Sequence, residues 1–235
     1  MSFISLLAFQ VHAGEWGAGV GVVAYQAPQV GVSSEVLPVP FFTYEGEDMD
    51  IGLGSISFHI VSSEHLRLSV DGQVRFNGYE ASESAALNGM EDRDFAFDAG
   101  ISGEFFGEWG GVTARALKDV TGTHDGYELS LAYQYPFPMG NLIVIPSIGV
   151  AWQSEELVTY YYGVKPQEAT AERAEYSADS TLIPYAEIMV GYQLNRNWQL
   201  LSGASYTALG SEIKNSPIIE ESHELSAFAA IKYTF

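Results

Sequence analysis

The sequence has no cysteine, few basic residues and no long apolar run. Without cysteine, its 235 residues can form neither a disulfide nor a thiolate-based site. Ten Lys and Arg against thirty Asp and Glu give a formal charge of −20, too few cations to contact nucleic-acid phosphates. No segment approaches the roughly 18–20 apolar residues of a membrane-spanning helix. These absences exclude disulfide scaffolds, nucleic-acid binders and helical membrane proteins.

The C-terminal segment alternates apolar or small residues with polar ones. Its apolar or small positions are Leu225, Ala227, Ala229, Ile231, Tyr233 and Phe235. A period of two indicates a strand, because successive side chains of a strand point to opposite faces. The pattern recurs strongly at 66–76, 95–105, 127–137 and 182–194. Weaker strands are predicted at 16–25, 36–44, 51–61, 109–118, 142–152 and 198–208.

Strands of about eleven residues with aromatic ends favour an all-β, antiparallel transmembrane β-barrel of the outer membrane over a soluble sandwich. Short connections alternate with longer ones, as expected for periplasmic turns and outer loops. Strand directions counted from the two ends of the chain agree only if one additional reversal lies between 36 and 61. The places for its two turns are 45–48 and 52–54. The count is then twelve strands, or ten if the 36 and 51 segments merge.

Residues 1–13 contain a short apolar segment ending in Val11-His12-Ala13, which suits a signal peptide cleaved after Ala13. Residues 14–235 are then a single barrel domain. The acidic connections at 80–94, 155–179 and 211–223 are predicted to be solvated, mutually repelling loops, with divalent-cation binding at a lipopolysaccharide surface as the alternative.

Charged side chains on three successive strands form a candidate lumen cluster. Its members are Arg67, Asp71, Arg75, Asp98, Glu104, Arg115 and Lys118. Opposite charges on neighbouring strands can pair and narrow the lumen, which is the favoured interpretation for a barrel of this size. The alternative is a ring that selects solutes.

Aromatic residues near the predicted strand ends form a candidate membrane belt, because amphipathic rings prefer the interface. They are Trp16, Trp109, Trp152, Trp198, Tyr233 and Phe235. Ile231, Tyr233 and Phe235 also form a C-terminal signal for the barrel-assembly machinery. Outer-membrane lipid and lipopolysaccharide are the expected surroundings.

No catalytic residue, metal ligand or cofactor is predicted. His124 and Asp125 could form a cation or proton site, but Asp-Gly at 125–126 is more typical of a tight turn. The five histidines have no ligand spacing, and no nucleophile elbow accompanies them. Gly17, Gly19 and Gly21 precede no helix that could form a phosphate loop, so they indicate close backbone approach or barrel curvature.

From about residue 16 the chain resembles the MltA-interacting protein/OmpV family of Gram-negative outer-membrane proteins. The resemblance rests on the ordered segments 36–44, 123–126 with 132–133, 161–164 with Pro166 and Ala169, 197–200, and 215–218. It implies a non-enzymatic scaffold that bridges a lytic transglycosylase and a murein synthase through its periplasmic turns. The contact residues would be Glu108, Trp109, Arg196 and Trp198. A small-solute porin, or an adhesin acting through loop 154–181, is the alternative.

Overall fold

The computed structural model describes residues 14–235, and the predicted leader lies outside the described residues. The strands are β1 (Glu15–Tyr25), β2 (Glu35–Glu45), β3 (Met49–Gly52), β4 (Ser55–Ser62), β5 (Leu66–Arg75), β6 (Ala96–Gly107), β7 (Gly110–Asp119), β8 (Tyr127–Gln134), β9 (Phe137–Met139), β10 (Leu142–Gln153), β11 (Thr181–Gln193), β12 (Trp198–Ala208) and β13 (His223–Thr234). Two short helices are α1 (Glu155–Tyr162) and α2 (Ser211–Lys214). Each predicted strand matches one of these elements or a consecutive pair of them.

The strands close into one antiparallel barrel. β13 pairs with β1, and β1 pairs in turn with β2, so the sheet joins its own ends. Both β8 and β9 pair with β10, and they form a single crossing strand interrupted at 135–136. Twelve strands therefore surround the lumen, which confirms the predicted barrel and its strand number. The extra reversal is the β3–β4 hairpin, with turns at 46–48 and 53–54.

The two faces of the wall differ in polarity. Large apolar side chains point outward and are exposed, including Val20 (60%), Phe42 (70%), Ile101 (62%) and Ile148 (63%). The alternating inward positions of β5–β8 carry charged and polar side chains instead. No helix in residues 14–235 combines the length and the apolar character that crossing a membrane requires.

The β3–β4 hairpin is much shorter than its neighbours. β3 has four residues and β4 has eight, against eleven in β2 and ten in β5. The hairpin is held at the periplasmic end, where His59 bonds Asp50 on β3 (3.1 Å) and Ser69 on β5 (3.0 Å). The hairpin follows β5 along most of its length, up to a hydrogen bond from the Val74 amide to the Gly54 carbonyl, but it pairs with β2 only at Tyr44 and Glu45.

The outer loops form a packed layer, which we call the outer cap: residues 26–34, 76–95, 154–180 and 209–222. Its core includes the buried side chains Leu87, Leu157, Val158, Tyr161, Ile213 and Ile218. The prediction of solvated, repelling loops is therefore wrong for much of this acidic sequence. Apolar residues scattered through separate loops meet only in the folded barrel, and their burial outweighs the repulsion of exposed carboxylates.

A buried ion pair joins two segments of the outer cap. The guanidinium of Arg93 donates to both oxygens of Glu168, with a shortest distance of 2.9 Å, and also donates to the Tyr160 carbonyl at 2.7 Å. Burial tends to raise the pKa of the Glu168 carboxyl, but hydrogen bonds from Arg93 and from two backbone amides hold that pKa below its usual value of about 4.5. Arg173 adds bonds to the carbonyls of Ala86 and Asn88.

Candidate functional site

Six of the seven predicted lumen charges project into the lumen, where they form ion pairs between strands. Near the periplasmic end, Arg67 lies 3.6 Å from Glu104 on the adjacent β6. Farther along the wall, Arg115 lies 3.4 Å from Asp71, and its guanidinium also donates to Gln73. The pairs follow β5 to β7 along the height of the lumen, so one side of the barrel interior is filled by paired charges.

Arg75 occupies the outer end of this series and is almost fully buried. Its guanidinium contacts Asp98 at 2.6 Å and Glu128 at 3.1 Å. Glu128 also accepts a hydrogen bond from Gln153 at 2.8 Å, and Asp98 contacts His124 at 3.0 Å. One arginine therefore compensates two buried carboxylates and joins β5 to β6 and β8, while Gln153 extends the network to β10.

Lys118 does not belong to this cluster. Lys118 lies on β7, opposite Ala99 on β6 and Tyr127 on β8. The side chains of these two partners point away from the lumen, and Lys118 is exposed on the same face. Its neighbours Leu117 and Asp119 are the residues that point inward. Including Lys118 in the lumen cluster was wrong, because Lys118 and Arg115 are three residues apart and residues at that spacing occupy opposite faces of a strand.

The space left beside the ion pairs is a polar chamber of about 110 Å³. Its wall contains Arg75 and Arg115, together with the carboxylates Glu104, Glu128, Glu187 and Glu224. Glu128 pairs with Arg75, whereas Glu187 and Glu224 have no ion-pair partner among the described residues, and burial opposes the ionisation of such carboxyls. Tyr162 and Leu209 of the outer cap close the chamber from the outer side.

His124 belongs to a hydrogen-bonded turn in the structure. Among the described residues, one group of three side chains is close enough to hold a metal ion, namely Asp98, Asp119 and His124. Asp119 already accepts hydrogen bonds from Thr121 and from the amides of His124 and Asp125. Asp98 is engaged by Arg75 and His124. The donor atoms are therefore occupied by protein partners, which favours the turn over the cation site.

The predicted belt residues lie on the outer surface of the barrel near the strand ends. At the periplasmic end, Trp16 packs on Tyr44 with ring centroids 4.8 Å apart, and Trp198 packs on Tyr233 at 5.0 Å. Trp109 is stacked on a neighbouring tyrosine, while Phe235 is 75% exposed. Trp152 lies at the outer end. Their role at the membrane interface, and the role of Ile231, Tyr233 and Phe235 in barrel assembly, stay predictions.

The periplasmic turns form a thin rim of exposed residues, and we define the periplasmic rim as residues 46–48, 63–65, 108–109, 140–141 and 195–197. The predicted contact residues Glu108, Trp109 and Arg196 lie in these turns, and Trp198 begins the adjoining strand. The rim also exposes three further carboxylates that the sequence interpretation did not single out. They are Glu47, Asp48 and Glu64.

The sequence interpretation missed the pair between Lys232 and Glu45, which are 2.7 Å apart. Alternation alone places Lys232 on the inward face of the closing strand. Its partner could not be identified because the two residues are 187 positions apart in sequence. They approach each other only because β1 lies between β13 and β2 in the closed sheet.

A closed barrel with an apolar outer surface and a polar interior defines an outer-membrane β-barrel protein. The family model of the MltA-interacting protein MipA matches residues 17–235, and the chain belongs to that family. The MltA-interacting protein of Escherichia coli K12 is 30% identical over 223 residues, covering 93% of this chain and 89% of the relative. Omp26La of Vibrio anguillarum, an outer membrane protein, is 26% identical over 95% of this chain and 88% of its own length.

Among solved structures, an outer membrane channel from Pseudomonas putida F1 has a similar fold. Its TM-score is 0.52 at 11% sequence identity, with both chains covered completely. At this identity the likeness shows the fold alone. The localisation in the outer membrane agrees with the named relatives, which include OmpV of Vibrio cholerae at 25% identity over 95% of this chain and 88% of its own length.

Proposed function

We propose that this protein is a non-enzymatic scaffold of the outer membrane that holds a murein-cleaving enzyme at its periplasmic rim. The observation that supports this proposal most strongly is the difference between the two ends of the barrel. The outer end is filled by the packed core of the outer cap, whereas the periplasmic end presents short, exposed turns. The name of the Escherichia coli relative as an MltA-interacting protein supports the same partner class.

The charge of the periplasmic rim indicates what the partner must offer. Exposed carboxylates at Glu47, Asp48, Glu64 and Glu108 stand against one exposed arginine, Arg196. A partner that docks on this end therefore needs a basic surface, because complementary charge steers association and like charge opposes it. Trp109 and Trp198 are 43% and 40% exposed and could supply apolar contacts beside the charges.

Reversing the rim charges tests the scaffold. The triple variant Glu47→Lys, Glu64→Lys and Glu108→Lys should weaken binding of a purified MltA homologue roughly tenfold, taking about 0.5 kcal/mol for each exposed pair. Binding is measured by surface plasmon resonance with the barrel in lipid nanodiscs. Wild-type affinity should also fall as salt is raised, since exposed charges are screened.

The matched control makes the same charge change on the opposite end. Glu172→Lys, Glu175→Lys and Glu220→Lys replace exposed carboxylates of the outer cap. This variant should bind the enzyme like the wild type. Equal loss in both variants, or no binding of any murein enzyme by the wild type, would contradict the scaffold.

A small-solute porin is the second candidate, and the polar chamber is the observation that favours it. Charged side chains of both signs line the chamber, and rings of charged side chains select solutes in pores. The current would require the outer cap to open, because Tyr162 and Leu209 cover the chamber. Replacing Arg67 and Arg75 by alanine removes inward cations and should change the selectivity of a conducting lumen, whereas a scaffold remains closed.

A further inference from the structure

The barrel wall has an opening along the edge of β2 that faces the β3–β4 hairpin. β2 pairs with β3 only at Tyr44 and Glu45, while it pairs with β1 along its whole length. Among residues 14–235, no strand lies against the other edge of β2 at 36–42. The hairpin turn at Leu53-Gly54 ends below this edge, and Ser84 bonds the Val30 carbonyl above it at 2.7 Å. We call this gap, between residues 36–42 and the outer end of β5, the lateral window.

The sequence of β2 is adapted to a free edge. Pro38 pairs with Val22 and Pro40 pairs with Val20 on β1. A proline has no N–H, so neither pair can be of the hydrogen-bonded kind, and the backbone groups at 36, 38, 40 and 42 point towards the window. Pro38 and Pro40 therefore have no backbone N–H that would lack a hydrogen-bond partner in hydrocarbon. Proline is the residue that natural sheets place on unpaired edges.

An apolar cavity of about 140 Å³ lies inside the lumen at the lower edge of the window. β1 and β2 contribute Val23, Val39 and Phe41, and the hairpin turn contributes Leu53. The neighbouring strands on the other side of β1, namely β13, β12 and β11, contribute Phe228, Leu201 and Met189. This cavity shares no lining residue with the polar chamber.

Glycine at the inward positions of β1 allows the residues around this cavity to pack closely against β1. A Cβ at Gly19 would lie 2.4 Å from the Phe41 ring, and one at Gly21 would lie 2.8 Å from Ala230. The same Cβ atoms would lie 2.5 Å from the Ile231 carbonyl oxygen and 2.8 Å from the Ala229 carbonyl oxygen, so the backbone of β13 approaches these glycines closely, as predicted. At its periplasmic end the cavity reaches Lys232, whose ammonium is neutralised by Glu45.

We infer that the lateral window and this cavity form a binding site for a small hydrocarbon of about the size of benzene, which enters from the membrane interior. The lining disfavours polar solutes, because almost all of its inward side chains are apolar. An engineered apolar cavity of about 150 Å³ in another protein stays dry and binds benzene, which sets the size of the occupant. The inference goes beyond the scaffold, since it concerns the wall and not the rim.

Thiol labelling tests the route, because the chain has no native cysteine. Val39→Cys places one thiol in the cavity, and Ile148→Cys places one on the lipid-facing surface of β10. In phosphatidylcholine nanodiscs, membrane-soluble N-phenylmaleimide should label both thiols. A permanently charged methanethiosulfonate reagent should label Val39→Cys much more slowly, because its charge keeps it out of hydrocarbon.

Competition with benzene tests the occupant. Benzene at about four times its Kd should slow the labelling of Val39→Cys roughly fivefold and leave Ile148→Cys unchanged. Adding Ala230→Phe, which fills the cavity, should suppress the labelling of Val39→Cys. The matched control Ala132→Phe fills the polar chamber and should have no effect.

Three outcomes would overturn the inference: no protection by benzene, equal labelling by the charged reagent, or protection by palmitic acid alone, which would indicate a lipid acyl chain. Folding of each variant is checked by heat-dependent gel mobility. A measurement on the unmodified protein keeps the test decisive if variants misfold. Benzene should shift the methyl NMR signals of Val23, Met189 and Leu201 but not those of the lipid-facing Leu131, and unmoved cavity methyls would also refute the site.

Discussion

At the scale of single residues, Arg75 has the largest electrostatic role in the lumen. Its guanidinium is the cation nearest to the buried carboxylates of Asp98 and Glu128. Arg75→Met keeps most of the side-chain volume but leaves both charges without their cation. Removing one partner of a buried pair costs about 3–5 kcal/mol, and we expect a loss of about 3 kcal/mol because His124 and Gln153 still donate hydrogen bonds.

Arg67→Met is the matched control for this prediction. Arg67 and Glu104 are 3.6 Å apart and each side chain is 17% exposed, so the loss should stay below about 1 kcal/mol. Both values come from urea unfolding of the barrel in phospholipid vesicles. Equal losses for the two variants would show that Arg75 is not the centre of the lumen network.

Residue-scale sequence reasoning located the inward charges but not all of their partners. The alternation identifies which positions face the lumen, and adjacent strands then suggest pairs such as Arg67 with Glu104. The contact of Arg75 with Glu128 spans 53 positions and depends on strand tilt, which alternation does not report. The prediction for Lys118 was wrong because it placed Lys118 on the same face as Arg115, although the two are three residues apart on one strand.

At the scale of elements, we expect the stability of the outer cap to depend on the buried ion pair between Arg93 and Glu168. The folded-state pKa of Glu168 is lowered, so its contribution to stability is complete above the unfolded pKa of about 4.5 and is lost as pH falls through the folded value. Protection of α1 against amide exchange, corrected for the intrinsic pH dependence, should therefore decrease as pH is lowered from 6 to 3.

Two glutamine variants separate the effect of this ion pair from the effect of protonating other carboxyls at low pH. Glu168→Gln should lower the protection of α1 already at pH 6 and should flatten its dependence on pH. Glu172→Gln changes an exposed carboxyl in the same loop and should behave like the wild type. An unchanged pH response in Glu168→Gln would contradict the assignment to this pair.

The elements differ in how well their sequence predicts them. Full-length crossing strands such as β12 are predicted to within a residue or two, because lipid and lumen impose alternation along their whole length. The alternation at 51–61 alone resembles one strand, but the strand directions predict a turn at 52–54, and the structure places the turn between β3 and β4 there. The outer cap was missed because its core is assembled from four loops, none of which has a period of its own.

At the scale of the whole molecule, the barrel has a closed outer end, a lumen divided into two spaces and an exposed periplasmic end. The polar chamber lies beside the ion pairs, and the apolar cavity lies behind the lateral window. Closure of the sheet, strand number and membrane location follow from the sequence. The division of the lumen into two spaces does not follow from the sequence, because it depends on how far the β3–β4 hairpin extends and on which inward positions are glycine.

Single-channel recording in planar bilayers tests the closed outer end most directly. The wild-type barrel should carry no steady current, because the outer cap fills the mouth of the lumen. Leu157→Ala with Ile213→Ala removes two fully buried side chains of the cap and, at about 2–5 kcal/mol each, should open it and allow a steady ionic current. A steady wild-type current that the double variant leaves unchanged would contradict this account.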